Sequence, residues 1–215
     1  TYVTHSYNHF WDNGKCNLQG MKSETETNYI TYPHNWYDHS DSRHPRIRTC
    51  SVHSYNNYFD GNAKYGVGVT MGASAFVENN YFRNCKDPMM SSGQGTDALG
   101  EGTFSGEPGG IIKAYNNVIV GASSYIPYAE NNTSFDAYEV SSPSETIPSS
   151  VTALSGGSTY NNFDTDSSIM YSYTADAPED VPSIVTAHAG RVDGGDFQWK
   201  FDNAVDDTSY AVNQN

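Results

Sequence analysis

The sequence predicts an all-β chain wound as a right-handed parallel β-helix, and three observations carry that prediction. A short phrase recurs as VTHSYNHF, ITYPHNWY, VHSYNNYF, SAFVENNYF and IIKAYNNVI, putting Asn8, Asn35, Asn57, Asn80 and Asn117 in one column. Their intervals of 27, 22, 23 and 37 residues lie in the range of solenoid repeats. Further columns follow without forcing: Val3, Ile30, Val52, Ala75 and Ile112 stand five before each Asn, and Phe10, Tyr37, Phe59, Phe82 and Ile119 two after it. Between them lies a mostly polar column of Thr4, Thr31, His53, Phe76 and Lys113. Apolar and polar positions alternate with the period of half-buried strands. Their β-branched and aromatic content agrees with strands and opposes a helical solenoid.

Each repeat then forms one coil, with equal columns stacked about 4.8 Å apart, and the Asn column becomes an amide ladder. The Gly-rich stretch 84–110 reads as a long loop before the fifth coil. Residues 121–160, rich in Ser, Pro and Thr, read as surface excursions, and STYNNFDTD as a degraded sixth coil around Asn161 and Phe163. A short helix is predicted over DVPSIVTAHAG, with Pro182 near its start and Gly190 past its end. That element is expected to cap the open end of the solenoid. The organisation is one domain: coils with a groove over 1–120, then excursions, final coil and capping helix over 121–215. Thr1 enters what reads as an interior coil, so N-terminal coils are expected in a companion segment that is missing from this chain.

Composition narrows the partners. The 215 residues carry 11 Lys and Arg against 25 Asp and Glu, a formal charge of −14. Long-range attraction to nucleic acid or an acidic membrane has the wrong sign. Mean hydropathy is −0.64 and no apolar run approaches a membrane-spanning length. Aromatics at 13% with charged residues at 17% oppose disorder. Cys16, Cys50 and Cys85 have no metal-type spacing and allow at most one internal bridge, whose pair stays open.

Within this acidic chain, Arg43, Arg46 and Arg48 fall in the run SRHPRIR, and Lys15 lies one repeat earlier in DNGKCNLQG. Lys15 and Arg43 follow equivalent strands, so both should project from one side of the solenoid. One reading is a solvated face of ion pairs with Asp12, Asp38, Asp41 or Asp60, each worth little. The other is a carboxylate-binding groove, because the guanidinium fork matches planar anions. His39 and His44 read as neutral surface side chains, and HNWYDH shows no defensible metal-ligand spacing.

The runs YVTHSYNHFWDNGKCNLQG, NYITYPHNWYDHSDSRHPRIR and VHSYNNYFDG resemble family 1 polysaccharide lyases, the pectate lyases, across roughly residues 1–120. The most specific element is R-x-P-x-x-R, present as Arg43-His44-Pro45-Arg46-Ile47-Arg48; GGIIKAYNN and DVPSIVTAHAGR are similar to bacterial secreted members. The resemblance implies a pectate lyase-like solenoid and cleavage of polygalacturonate by β-elimination. It makes Arg43 the base and Lys15 and Arg48 ligands of uronate carboxylates, and gives Arg46 no role. It also implies secretion and a Ca2+ cofactor, whose ligands the family places in coils before the Lys strand, upstream of Thr1; no metal ligand is expected in this chain. A free guanidinium has a pKa above about 12, so a base role demands a basic, desolvated neighbourhood. Two alternatives stand beside this reading: a non-catalytic pectin-binding β-helix, and a pectin lyase acting on methylated pectin.

Overall fold

The computed structural model describes residues 1–21, 27–100, 103–104 and 106–191. Its first three strands, β1 (Tyr2–Thr4), β2 (His9–Trp11) and β3 (Leu18–Gln19), make one coil. The pattern repeats as β4 (Tyr29–Pro33), β5 (Trp36–Asp38) and β6 (Arg46–Arg48), then β7 (Ser51–Tyr55), β8 (Tyr58–Asp60) and β9 (Tyr65–Thr70). A fourth coil holds β10 (Ser74–Glu78), β11 (Tyr81–Arg83) and β12 (Asp87–Ser91); β13 (Ile111–Tyr115), β14 (Val118–Val120) and β15 (Tyr138–Glu139) follow. Three parallel sheets result, ordered β1-β4-β7-β10-β13-β15, β2-β5-β8-β11-β14 and β3-β6-β9-β12. This is the parallel β-helix that the repeats predict.

The Asn column sits in the turn from first to second sheet. Residues with left-handed φ precede each Asn (Tyr7, His34, Asn56, Asn79 and Asn116), so the chain bends sharply in two residues. The amides form a continuous ladder, Asn8 to Asn35 at 2.9 Å, then Asn35 to Asn57, Asn57 to Asn80 and Asn80 to Asn117, each at 3.0 Å. Every accepting Oδ1 also takes the backbone N–H of the donating Asn. Inside the coil, Phe10, Tyr37, Phe59 and Phe82 stack face to face with centroids 4.2–5.2 Å apart. Val3, Ile30, Val52, Ala75 and Ile112 lie in register along the first sheet.

Three expectations need correction. The sixth rung of the first sheet is β15, where Lys113 pairs with Tyr138, and not the Asn161–Phe163 stretch. Asn161 instead lies across the outside of that sheet, its Nδ2 donating to Ser51 Oγ at 2.8 Å. Residues 121–160 are more than surface excursions: Phe135, Ile147, Val151, Ala153 and Tyr160 pack with Phe163 on Phe76 and Ile111. From the third coil on, the outer column of the first sheet is therefore dry, with His53 and Phe76 1% exposed and Lys113 0%. Third, the helix forms as α1 (Val181–His188), but it covers a side of the solenoid, not its end. Val181, Val185 and Ala189 seat on the outward rings of Trp36 and Tyr58, with Tyr81 beside them. The outward aromatic column on the second sheet gives the helix apolar area to cover. Cys16, Cys50 and Cys85 form no disulfide.

Candidate active site

The site grows from the short strand β6. Ile47 points into the core, so its neighbours Arg46 and Arg48 point outward from the third sheet by the two-residue period of a strand. Between β5 and β6 the turn carries Arg43, half-buried and in the left-handed region with φ 66°. The coil on one side holds it through the Asn17 N–H, which donates to the Arg43 carbonyl at 2.8 Å. The coil on the other side holds the next residue: the His44 N–H donates to the Gly66 carbonyl at 3.0 Å.

His44 is fully buried, against the expectation of a surface imidazole. Its Nδ1 lies 2.8 Å from the Tyr65 carbonyl and its Nε2 2.7 Å from Ser40 Oγ. The backbone carbonyl can only accept, which fixes the neutral ring with the proton on Nδ1. Burial pushes its pKa down to about 3. A neutral buried imidazole thus braces the turn that carries Arg43.

Lys15 is exposed in the turn stacked directly on this one. The Cys16 N–H donates to the Ser42 carbonyl at 3.1 Å, and Ser42 Oγ donates to the Gly14 carbonyl at 3.1 Å. The structure therefore brings Lys15 and Arg43 to adjacent rungs of one side. Tyr65 lies where the positive charges meet: burial raises its hydroxyl pKa, while the charges of Arg46, Arg43 and Arg48 and a hydrogen bond with Arg43 pull the other way. Gly68, in register with Arg46, lets two rings pack close to the strand. A Cβ there would fall 2.6 Å from the Tyr65 ring and 2.8 Å from that of Phe104.

Arg48 is not a bare carboxylate receptor. Glu107 takes its Nε at 3.4 Å and its Nη2 at 3.2 Å, and takes Arg46 Nη2 at 2.7 Å. Phe104 flanks Arg46 with its ring centroid 5.2 Å from the guanidinium carbon. Burial would raise the Glu107 pKa, but hydrogen bonds from Arg48 and Arg46 and their charges outweigh it and leave it lowered. The acidic partner that Arg46 and Arg48 share is thus Glu107. Sequence reasoning missed Glu107, Tyr65 and Phe104; the one signal for Glu107 was a lone Glu between the glycines of SGEPGG.

Among the described residues one group has ligand atoms close enough for a metal ion: Asp38, His39 and Asp60. This refines the sequence reading of HNWYDH, which had found no such geometry. The set does not fit calcium, which takes six to eight oxygen ligands. One of its three members is an imidazole, Asp38 already binds His9 and His39, and Asp60 holds Arg83 at 2.6 Å.

Comparison with known proteins adds to this geometry. The model of the pectate lyase family matches residues 1–193. The chain belongs to the pectate lyase family. A pectate trisaccharide-lyase of Bacillus licheniformis is 41% identical over 91 residues, 42% of this chain and 27% of that protein. Pectate lyase II of Xanthomonas campestris superposes with a TM-score of 0.59 at 28% identity, covering 88% of this chain and 49% of that one. Pectate lyase C of Erwinia chrysanthemi, solved with Ca2+, gives 0.58 at 26% identity over 94% of this chain and 49% of that one. The pectate lyase chain described here thus spans about half the length of these structures, and less of the curated relative. No described helix is long and apolar enough to cross a membrane.

Proposed function

We propose that this chain carries the proton-abstracting and uronate-binding side of a pectate lyase that cleaves α-1,4-linked polygalacturonate by β-elimination. The observation that carries the reading is the paired turn: the backbone of Arg43 and His44 is hydrogen-bonded to the coils on both sides of it, with Lys15 on the adjacent rung. In the reaction the C5–H bond breaks and its electron pair forms the C4=C5 double bond. The C4–O bond breaks, and its oxygen leaves on C1 of the non-reducing-side fragment, where it takes a proton from water and becomes a new reducing end. Arg43 takes the C5 proton. Lys15 faces a uronate carboxylate, whose neutralisation makes C5–H more acidic, and Arg48 faces another.

A fixed turn matters because general-base catalysis depends on reach before pKa. Calcium belongs to the proposal through the family likeness and through a relative solved with it. The ion would neutralise carboxylate charge as a hard Lewis acid, held by ligands other than the Asp38, His39 and Asp60 group. Secretion goes with a substrate that is an extracellular polysaccharide.

The test is Arg43→Lys, read by ultraviolet absorbance of unsaturated product on polygalacturonate at saturating calcium. Lysine keeps the charge but loses the reach and fork of guanidinium. Turnover should fall by about 10²–10⁴-fold, as on loss of a general base, with KM within a few-fold. Activity within a few-fold of wild type would remove Arg43 from the base role.

A further inference from the structure

Glu107 has a place that neither the base nor the carboxylate ligands of the proposed reaction explain. Its carboxylate is 7% exposed and lies against two guanidiniums. Its two oxygens occupy the Nε–Nη2 edge of Arg48, the fork that would otherwise receive a planar substrate carboxylate. The segment that bears it is fastened along its length. Ser92 Oγ donates to the Glu107 carbonyl at 2.6 Å, the Met71 N–H to the Pro108 carbonyl at 2.6 Å, and the Gly72 N–H to the Gly109 carbonyl at 2.8 Å. The Gly109 N–H in turn donates to the Ser155 carbonyl at 2.8 Å. Such a carboxylate is a fixture of the groove, and a substrate does not sweep it aside.

The consequence is electrostatic. Arg46 and Arg48 bring two positive charges and Glu107 one negative, so this part of the groove presents one net positive charge instead of two. A bare fork rewards a free uronate and penalises its methyl ester, which lacks the charge and one acceptor geometry. A fork already filled discriminates less. We propose that Glu107 is a specificity-determining residue, a resident carboxylate that lets the Arg48 subsite accept methyl-esterified uronates alongside free ones. The inference rests on reading this face as the uronate groove.

Equilibrium binding separates the two ideas, because it does not need turnover. Calorimetry with trigalacturonate and its methyl ester is run on the full chain in an Arg43→Lys background, with and without Glu107→Gln. Removing the resident charge should tighten trigalacturonate about tenfold, the low end of what one hydrogen bond to a charged group contributes, and move the ester less than twofold. Glu107→Asp, which keeps the charge, should stay within twofold of its parent on both ligands. Equal changes on both ligands, no change, or no binding of either by the parent would overturn the proposal.

Should Glu107→Gln fail to fold, single substitutions at the two cations decide. Arg48→Gln should cost less trigalacturonate affinity than Lys15→Gln, and the reverse order would overturn the proposal. Wild type that binds with these ratios yet releases no unsaturated product would sink the lyase reading and leave the role of Glu107 standing.

Discussion

His44 shows how one residue joins stability to the site. Its imidazole is held neutral by burial, with a pKa near 3 against an ordinary 6.5. Above pH 6.5 the ring is neutral in both folded and unfolded chains and contributes no pH dependence. Between 6.5 and about 3 the unfolded chain binds a proton that the folded one refuses, so stability falls as pH falls. The slope from this group reaches about 1.4 kcal/mol per pH unit. His44→Asn can keep a donor to the Tyr65 carbonyl but cannot titrate. Denaturant unfolding at pH 7, 6, 5 and 4 should give a shallower pH slope for the variant than for wild type. Parallel curves would show that the ring protonates in the folded state. His44 sits inside the signature that resembles the pectate lyases, yet its burial was not legible there: it follows from β9 of the next coil closing over the turn.

At the scale of elements, the Asn ladder converts a sequence column into a structural one. Each buried Oδ1 accepts two hydrogen bonds and each Nδ2 reaches the adjacent coil, so removing one amide leaves partners unpaired on both sides. Asn57 is the central case: its Nδ2 also reaches the Tyr32 carbonyl at 2.6 Å, and its Oδ1 serves the amide and the backbone N–H of Asn35. Asn57→Leu should destabilise the fold by about 1–3 kcal/mol per unsatisfied buried group, measured as a shift of the denaturant midpoint. An unchanged midpoint would mean that the ladder adds nothing beyond shape. The ladder was legible because a parallel stack forces identical positions into register. The loops that follow the coils obey no such repeat, and Asn161 shows the result. Its phrase copies the column, but β15 had already filled the sixth rung.

For the whole molecule, the outer face of the first sheet is a second core with charge sealed inside it. Lys113 Nζ lies 2.5 Å from Asp164 Oδ2 and 2.8 Å from the Pro143 carbonyl, over the Phe76 ring. Tyr160 holds the other carboxylate oxygen at 2.6 Å. Nearby, His53 bridges Glu78 and Tyr171 at 2.8 Å each, and the Tyr173 hydroxyl donates to Glu78. Breaking a buried pair from one side costs more than replacing both partners. Lys113→Met should therefore lose about 3–5 kcal/mol, and adding Asp164→Asn should restore about half or more, since Asn still accepts from Tyr160. A double variant no more stable than the single one would show that the pair is not coupled. Both variants should leave the Arg43 face unchanged, because Lys113 lies on another sheet.

By itself, the sequence determined the coil. Period, inward columns, Asn turn and basic run all follow from one repeat meeting its neighbours in parallel register, a relation that spacing alone specifies. It also determined that Lys15 and Arg43 share a side, because stacked turns inherit the register of the strands that enter them. What tertiary structure decided is everything that covers the coil from outside. Residues 121–191 cover the outer column of the first sheet around Phe76, and α1 lands on the second sheet. Glu107 reaches Arg46 and Arg48 from 61 and 59 residues away. Those contacts have no period. They form where an uncompensated charge or an uncovered aromatic finds its complement, and only a chain already coiled presents both at once.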